Sequence, residues 1–301
     1  MAAVTTVTVK PDAPTARPAS RRSWSWLGLL PFFLFSVAFL LLPVVFLVAG
    51  SLQDAHGHLT MQNYVDVVTQ AKIINDFKLS IEISLVTAVA GALFGFLLAY
   101  AVILGGLPGF LRISLITFAG VASNFAGVPL ALAFIFTLGQ LGLITVFLRD
   151  VFHFNLYQQG FSLYTQTGLE LVYMYFQFPL MVLIIAPAID GLKKEWREAA
   201  ENLGATSRQY WRRVALPILM PSILGAGILL FGNALGAQAT AYQLTGGLLP
   251  LVTIDISSQI SGDVLHNVGL GYAIAVCLVI IMSIAIGAYL LLQRRSERWM
   301  R

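Results

Sequence analysis

Few side chains in this sequence could do acid–base, metal or nucleophilic chemistry. The 301 residues include 4 histidines and 1 cysteine. His56 and His58 are separated by one residue, but two histidines with no third ligand nearby make a weak metal site. His153 and His266 are not accompanied by a nucleophile and a base. We therefore predict no catalytic residue and no metal site, and we do not expect an enzyme.

The amino-acid composition explains why such chemistry is sparse. Apolar residues make up 58% of the chain and charged residues 11%, whereas soluble domains average about 45–50% and about 25%. A surface that faces water needs more charge than this to stay dispersed. The composition excludes a soluble enzyme and a disordered chain, and it predicts an integral membrane protein.

Six apolar runs are long enough to cross the hydrocarbon core, which takes about 20 helical residues. They are Leu27–Val48, Phe77–Leu104, Leu111–Leu138, Gly168–Ile189, Pro217–Gln238 and Leu265–Leu292. The runs are continuously apolar, whereas strands of a membrane barrel alternate. We therefore predict an all-α fold with six transmembrane helices and both termini on the same side.

Positive charge predicts which side that is. Lysine and arginine are retained on the cytoplasmic side of a membrane. The side that holds both termini carries all of them except Lys72, Lys78 and Arg149. Both termini and the connection 190–217 are therefore predicted to be cytoplasmic, and the net charge of +4 needs no nucleic-acid partner. We divide the chain into a mobile basic tail, 1–26, and a six-helix domain, 27–301.

The connection 190–217 is charged and patterned for two short helices. One apolar face recurs at helical spacing and consists of Trp196, Ala199, Ala200 and Leu203. Gly204 is typical of a helix C-terminus, and Thr206 with Gln209 forms a capping-box pattern that opens a second helix. Such a hairpin fits the groove of a partner protein, and an amphipathic loop in the lipid headgroup zone is the alternative.

Within this connection the sequence resembles the EAA loop of permease subunits of binding-protein-dependent ABC importers. The matching positions are Glu198-Ala199-Ala200, three residues, Gly204, nine residues, and Val214-Ala215-Leu216-Pro217. The family has isoleucine where this chain has Val214. The loop lies two spans before the C-terminus, as in the family, and with six spans the resemblance covers nearly the whole chain. It favours docking to a protein over lipid binding.

The resemblance implies partners and residue roles. In the family, two permeases form the pathway, and each loop inserts coupling helices between spans four and five into an ATPase subunit. It implies docking by Glu198, Ala199, Ala200 and Gly204, with Leu216 and Pro217 tying the loop to the fifth helix. Trp196 and Leu203 of the apolar face complete the set of coupling residues. It also implies a dimer of ATPase subunits, a second permease of a different chain, a periplasmic or lipid-anchored solute-binding protein, surrounding membrane lipid, and the bacterial inner membrane as the location.

No cofactor is expected on this chain itself. No lysine follows a glycine, so a Walker A motif cannot occur, and ATP and magnesium are expected on the partner ATPase. The expected function is the transmembrane subunit of an ATP-driven importer. A self-contained secondary transporter is the alternative, but it would place a charged residue near the middle of a span, and these six runs have none.

The substrate is less clearly indicated. Residues 123–130 are similar to permeases of polyamine, opine, phosphonate and ferric-ion importers. Glu82 and Glu170, near the outer ends of spans two and four, favour a cation such as a polyamine, although the helix dipole alone explains carboxylates there. The uncharged pathway candidates, which could equally bond helix to helix, are Asn124, Gln177, Asn233 and Gln238. The glycines predicted to pack on the second permease are Gly225, Gly227, Gly232 and Gly236.

Overall fold

The computed structural model describes residues 29–54, 57–261 and 267–299. The predicted tail 1–26, His56, His266 and the predicted start of the last span at Leu265 lie outside the described residues. The chain divides into two units, Met1–Phe46 and Leu47–Arg301. The described part of the first unit is the N-terminal portion of one apolar helix, and the second unit holds the remaining helices.

The described residues form helices and no strand. The helices are α1 (Leu30–Ser51, with a π-helical turn at Val37–Leu41), α2 (Gln62–Thr69), α3 (Ala71–Leu104), α4 (Gly109–Asn124), α5 (Val128–Leu138), α6 (Leu143–Phe152), α7 (Gln166–Asp190), α8 (Lys194–Asn202), α9 (Ser207–Tyr210), α10 (Leu216–Leu235), α11 (Gln238–Thr245), α12 (Val252–Ser261) and α13 (Val268–Trp299). Among these residues, six helical stretches are long and apolar enough to cross a membrane. The prediction of an all-α, six-span fold is confirmed.

The third predicted span, Leu111–Leu138, is wrong as a single helix. Helix α4 ends at Asn124 and α5 begins at Val128. Gly127 has φ +75°, a conformation that glycine adopts at little cost, and Pro129 lacks the N–H that would continue the α4 ladder. The stretch that spans by length and hydropathy is instead Val128–Phe152, which contains α5 and α6.

The fifth predicted span, Pro217–Gln238, is confirmed as one helix that stops three residues before its predicted end. Helix α10 ends at Leu235, and a new helix, α11, starts at Gln238. Apolar residues continue across both interruptions, so hydropathy does not reveal them.

Close packing of α3 on α7 forms the centre of the second unit. A Cβ atom on Gly91 would lie 2.8 Å from the Cβ of Gln177, and one on Gly95 would lie 2.5 Å from the Cβ of Met181. Both contacts advance in the same direction along the chain, so the two helices run parallel. Small residues at a helix crossing let the backbones approach, which is how membrane helices gain van der Waals contact.

The glycines of α10 serve a different contact from the one predicted. A Cβ on Gly225 would lie 2.8 Å from the hydroxyl of Tyr289, and one on Gly232 would lie 2.5 Å from the terminal methyl of Met282. Both partners are on α13 of the same chain. The expectation that these two glycines pack on a second permease is therefore wrong, whereas Gly227 has no atom within 4 Å of such a Cβ.

An ion cluster ties α3 to α12. The ammonium of Lys72 hydrogen-bonds Asp76 at 2.8 Å and also hydrogen-bonds Asp255. The side chains of the two aspartates are 1% and 3% exposed, whereas that of Lys72 is 56% exposed. One mostly exposed cation is therefore shared by two buried carboxylates from different helices.

Candidate functional site

The connection between α7 and α10 folds as the predicted helical hairpin. Helix α8 ends at Asn202, and Gly204 follows with φ +77°. Thr206 and Gln209 form the predicted capping box: the Thr206 hydroxyl accepts from the Gln209 N–H at 3.3 Å, and the Gln209 side chain accepts from the Thr206 N–H at 2.8 Å. The helix end at Gly204 and the capping box are confirmed, and they leave α8 and α9 as two arms of a short hairpin. The second arm is not a separate helix, because a π-helical turn at Trp211–Ala215 continues it into α10.

The first arm of the hairpin has little support from the described part of the chain. Helix α8 contains no buried residue, and the Leu203 side chain that follows it is 87% exposed. Trp196 is 37% exposed, with the Lys193 ammonium 5.8 Å from its ring centre. A hydrogen bond to Glu201 raises the pKa of the Arg197 guanidinium. This arm therefore presents an apolar stripe flanked by fixed charges.

The second arm is anchored to α3 instead of being free. Tyr210 is buried, and the Trp211 ring meets the Tyr100 ring edge-on at 4.9 Å. The Trp211 ring therefore packs within its own chain. Ala215 is fully buried just before Leu216 and Pro217 begin α10.

An ion pair anchors the beginning of the hairpin. Asp190 is the last residue of α7, and Arg112 lies in the first turn of α4. One terminal nitrogen of Arg112 donates to both carboxylate oxygens of Asp190, at 2.5 and 2.6 Å. We call the end of the bundle that holds this pair the loop end, and the end that holds Lys72 the far end.

The two helix interruptions meet at one cavity. The N–H of Gly127, between α4 and α5, donates to the Thr240 hydroxyl of α11 at 2.8 Å. Beside this contact is a cavity of about 280 Å³, here called the break cavity. It is lined by Ala126, Gly127, Phe176, Gly232, Asn233, Gly236, Ala237, Ala239 and Thr240. No charged side chain is among these residues.

The predicted pathway residues do not form one site. Of the four uncharged candidates, Asn233 lines the break cavity. Gln177 is fully buried and donates to the carbonyl of Leu230 at 3.1 Å, which is the helix-to-helix bonding considered as its alternative. Asn124 donates to Gly120 of its own helix at 2.8 Å. Gln238 opens α11, two residues from the cavity-lining Thr240.

The two predicted carboxylates come together on a shared glutamine. The side-chain amide of Gln166 donates to Glu170 at 3.0 Å and contacts Glu82 at 3.4 Å. Glu82 and Glu170 therefore face one spot near the start of α7, at the far end of the bundle. The structure supports their proximity, and neither lines the break cavity.

Two features of the site escaped sequence reasoning. The break cavity depends on interruptions that lie inside apolar runs, although the Gly127–Pro129 pair was a visible signal. The sequence could indicate one part of the Lys72 cluster, because Lys72 and Asp76 are four residues apart on a helix, which is the spacing of an ion pair. Asp255 lies 183 residues after Lys72, and no local pattern connects them.

Comparison with known proteins places this geometry in context. A family model described as "binding-protein-dependent transport system inner membrane component" matches residues 80–298. The sulfate transport system permease protein CysT of Salmonella typhimurium is 28% identical over 215 residues, covering 71% of this chain and 73% of the relative. The spermidine/putrescine permease PotB of Haemophilus influenzae is 31% identical over 137 residues, covering 44% and 47%. A crystal structure of a bacterial ABC transporter that imports alginate aligns with a TM-score of 0.69 at 17% identity, covering 92% of this chain and 96% of that one.

Proposed function

The chain belongs to the family of inner membrane components of binding-protein-dependent transport systems, as a permease subunit of an ABC importer, and on that premise we propose that its hairpin α8–α9 docks on a separate ATPase and drives the helix bundle. The observation that carries the proposal is the unsupported first arm. An apolar stripe with no buried residue among the described part of the chain, at the place of the family's EAA loop, fits a surface that another protein covers.

The geometry suggests how the docking residues would act. Ala199 and Ala200 would let the partner approach closely, with Trp196 and Leu203 as the larger apolar contacts. Glu198, exposed beside Ala199, would make the polar contact. The remaining roles are structural, since Gly204 turns the chain between the arms and Leu216 with Pro217 joins the hairpin to α10.

The rest of the assembly follows from the same premise. ATP and magnesium would be bound by a dimer of ATPase subunits, which closes on ATP and carries the hairpins with it. A second permease, of a different sequence, would complete the pathway in the bacterial inner membrane. A periplasmic or lipid-anchored protein would deliver the solute. Because packed bundles have discrete arrangements, a small hairpin movement can switch the bundle between inward-open and outward-open states.

For the substrate we favour a small oxyanion such as sulfate. The relative with the longer match is a sulfate permease, and the break cavity offers no carboxylate that would repel an anion. Gly127, the N-cap of α5, and the first turn of α11 line this cavity, and helix N-termini carry partial positive charge. A polyamine is the second candidate, favoured by Glu82 and Glu170 at the far end and by the shorter match to a polyamine permease.

Uptake into vesicles that carry the assembled importer tests both levels of the proposal. We expect labelled sulfate to accumulate only with ATP and binding protein, and labelled spermidine not to accumulate. Accumulation of spermidine alone would replace the oxyanion by the second candidate. Transport without ATP would mean a self-contained carrier, and the ATPase-docking proposal would then be wrong.

Two loop variants test the docking surface itself. Gly204→Asp and Ala200→Glu should abolish ATP-driven uptake and copurification of the ATPase while leaving membrane insertion intact. Gly160→Asp is the matched control, because Gly160 has φ +87° in another loop and, like Gly204, has open space around its Cβ position. It carries a similar backbone cost and should transport normally. If Gly160→Asp and Gly204→Asp lose ATP-driven uptake equally, backbone strain explains the loss and docking is refuted.

A further inference from the structure

The contact between Arg112 and Asp190 joins the hairpin to a helix other than the two that it connects in sequence. Asp190 is four residues before Lys194, where α8 begins, so it lies at the root of the first arm. Arg112 belongs to α4, which is far from the hairpin along the chain. Both side chains are partly exposed, at 36% for Arg112 and 46% for Asp190. An exposed ion pair contributes little to stability, so a purely structural role would be minor.

Helix α4 reaches from this ion pair to the break cavity. Its 16 residues span about 24 Å at 1.5 Å per residue. One end carries Arg112, and the other end leads into residues 125–127, of which Ala126 and Gly127 line the cavity. Ala119 and Ala122, in the half of α4 nearer the cavity, are buried. A displacement applied at Arg112 would therefore be delivered along a rigid helix to the cavity wall.

The far side of the break is held by another helix. The Thr240 hydroxyl accepts the Gly127 N–H at 2.8 Å, so the end of the α4–α5 break is fixed to α11. Movement of α4 relative to α11 must either break this hydrogen bond or carry α11 along. Either outcome changes the shape of the break cavity, since residues of both segments line it.

The hairpin's other root packs on α3. Trp211 packs on Tyr100 at the loop end of α3, and α3 is locked to α7 by the Gly91 and Gly95 contacts. Sliding α3 along α7 would drive these backbones into side chains. The aromatic root therefore connects the hairpin to α3, while the ion pair connects its α7 root to α4.

We propose that Arg112 and Asp190 are positioning residues that make α4 follow the hairpin, so that ATP-driven movement reaches the break cavity. This proposal rests on the docking function proposed above. Neither residue touches the solute or the ATPase in this mechanism. They act by holding α4 to the hairpin root, so the loss of the pair should separate ATP hydrolysis from transport.

Charge reversal tests the proposal with hydrolysis and uptake measured in the same vesicles. Arg112→Asp or Asp190→Arg should lower the solute transported per ATP by about fivefold, which corresponds to a coupling free energy of about 1 kcal/mol. ATPase copurification and stimulation by the binding protein should be retained. The double variant, which restores opposite charges, should return to within about twofold of the unaltered protein, as should the conservative Arg112→Lys.

The controls keep this outcome separate from the docking function. Arg149→Asp removes another exposed ion pair, between Arg149 and Asp150 at 2.8 Å, and should not change the ratio. Neutral variants, Arg112→Gln and Asp190→Asn, replace the reversals if those fail to insert. An unchanged ratio in the single variants, or no recovery in the double variant, would overturn the proposal while docking stands. Loss of ATPase copurification in Arg112→Asp would also overturn it, because the residue would then act on docking.

Discussion

Replacing Lys72 by methionine is the perturbation for which the structure allows the clearest estimate. The change removes one ammonium that bonds two buried carboxylates, those of Asp76 and Asp255. A hydrogen bond to a charged group contributes about 1.5–3 kcal/mol. The Lys72 side chain is 56% exposed, so each contact contributes less than this to the free energy of unfolding. Exposed ion pairs contribute about 0–1 kcal/mol. Two contacts of intermediate strength give about 2 kcal/mol.

The expected observation is a lower midpoint of thermal unfolding for the purified protein in detergent. At about 2–4 °C per kcal/mol, Lys72→Met should lower the midpoint by about 4–8 °C. Lys78→Met is the matched control, since Lys78 is exposed on the same helix and takes part in none of the ion pairs between described residues. It should leave the midpoint within about 1 °C.

A second change distinguishes lost attraction from lost packing. If unpaired buried charge is the cause, adding Asp76→Asn to Lys72→Met should recover part of the loss, because one of the two uncompensated carboxylates is then neutral. A drop in Lys72→Met no larger than in Lys78→Met would refute the reasoning. A further drop on adding Asp76→Asn would refute it as well.

Three smaller perturbations test other contacts. Gly95→Ala should destabilise the protein by about 1–3 kcal/mol, because the added methyl overpacks against α7. Gly120→Ala is the control, since open space surrounds its Cβ position. Equal midpoints of thermal unfolding in the two variants would contradict the close approach of α3 and α7. Thr240→Val removes the acceptor of the Gly127 N–H and should reduce uptake of the solute. Thr240→Ser keeps a hydroxyl and should keep uptake. Identical uptake by the two variants would show that this hydrogen bond is not needed for transport. Thr206→Ala removes the helix cap and should destabilise the second arm by about 1 kcal/mol. Amide hydrogen exchange in this arm should then be faster than in Thr206→Ser, which keeps the cap. Equal exchange rates in the two variants would show that the cap is dispensable.

The hairpin was predictable because its signals are local. Gly204 ends one helix, and Thr206 with Gln209 begins the next, and each effect acts within about one helical turn. The existence of the spans was predictable for a related reason, since hydropathy summed over about 20 residues needs no knowledge of partners. Burial could not be predicted this way, and Trp196 and Trp211 look alike in sequence although only one packs within the chain.

The break cavity and the far-end cluster depend on contacts between distant segments. A proline and a glycine at residues 127–129 permit an interruption, but the bond from Gly127 to Thr240 crosses 113 residues. Hydropathy is equally high whether an apolar segment continues as one helix or turns aside within a bundle. The sequence alone therefore predicted the number of spans correctly and one of their courses wrongly.

The unsupported first arm of the hairpin has a practical consequence for mutational surveys. Nothing in the described chain holds Ala199 or Leu203 in place, so substitutions there cost the folded subunit almost nothing. A survey that ranks variants by expression level or melting temperature would rate these positions as tolerant. Selection on them would come from a second polypeptide, and growth on limiting nutrient would detect what biophysical screening of the isolated subunit overlooks.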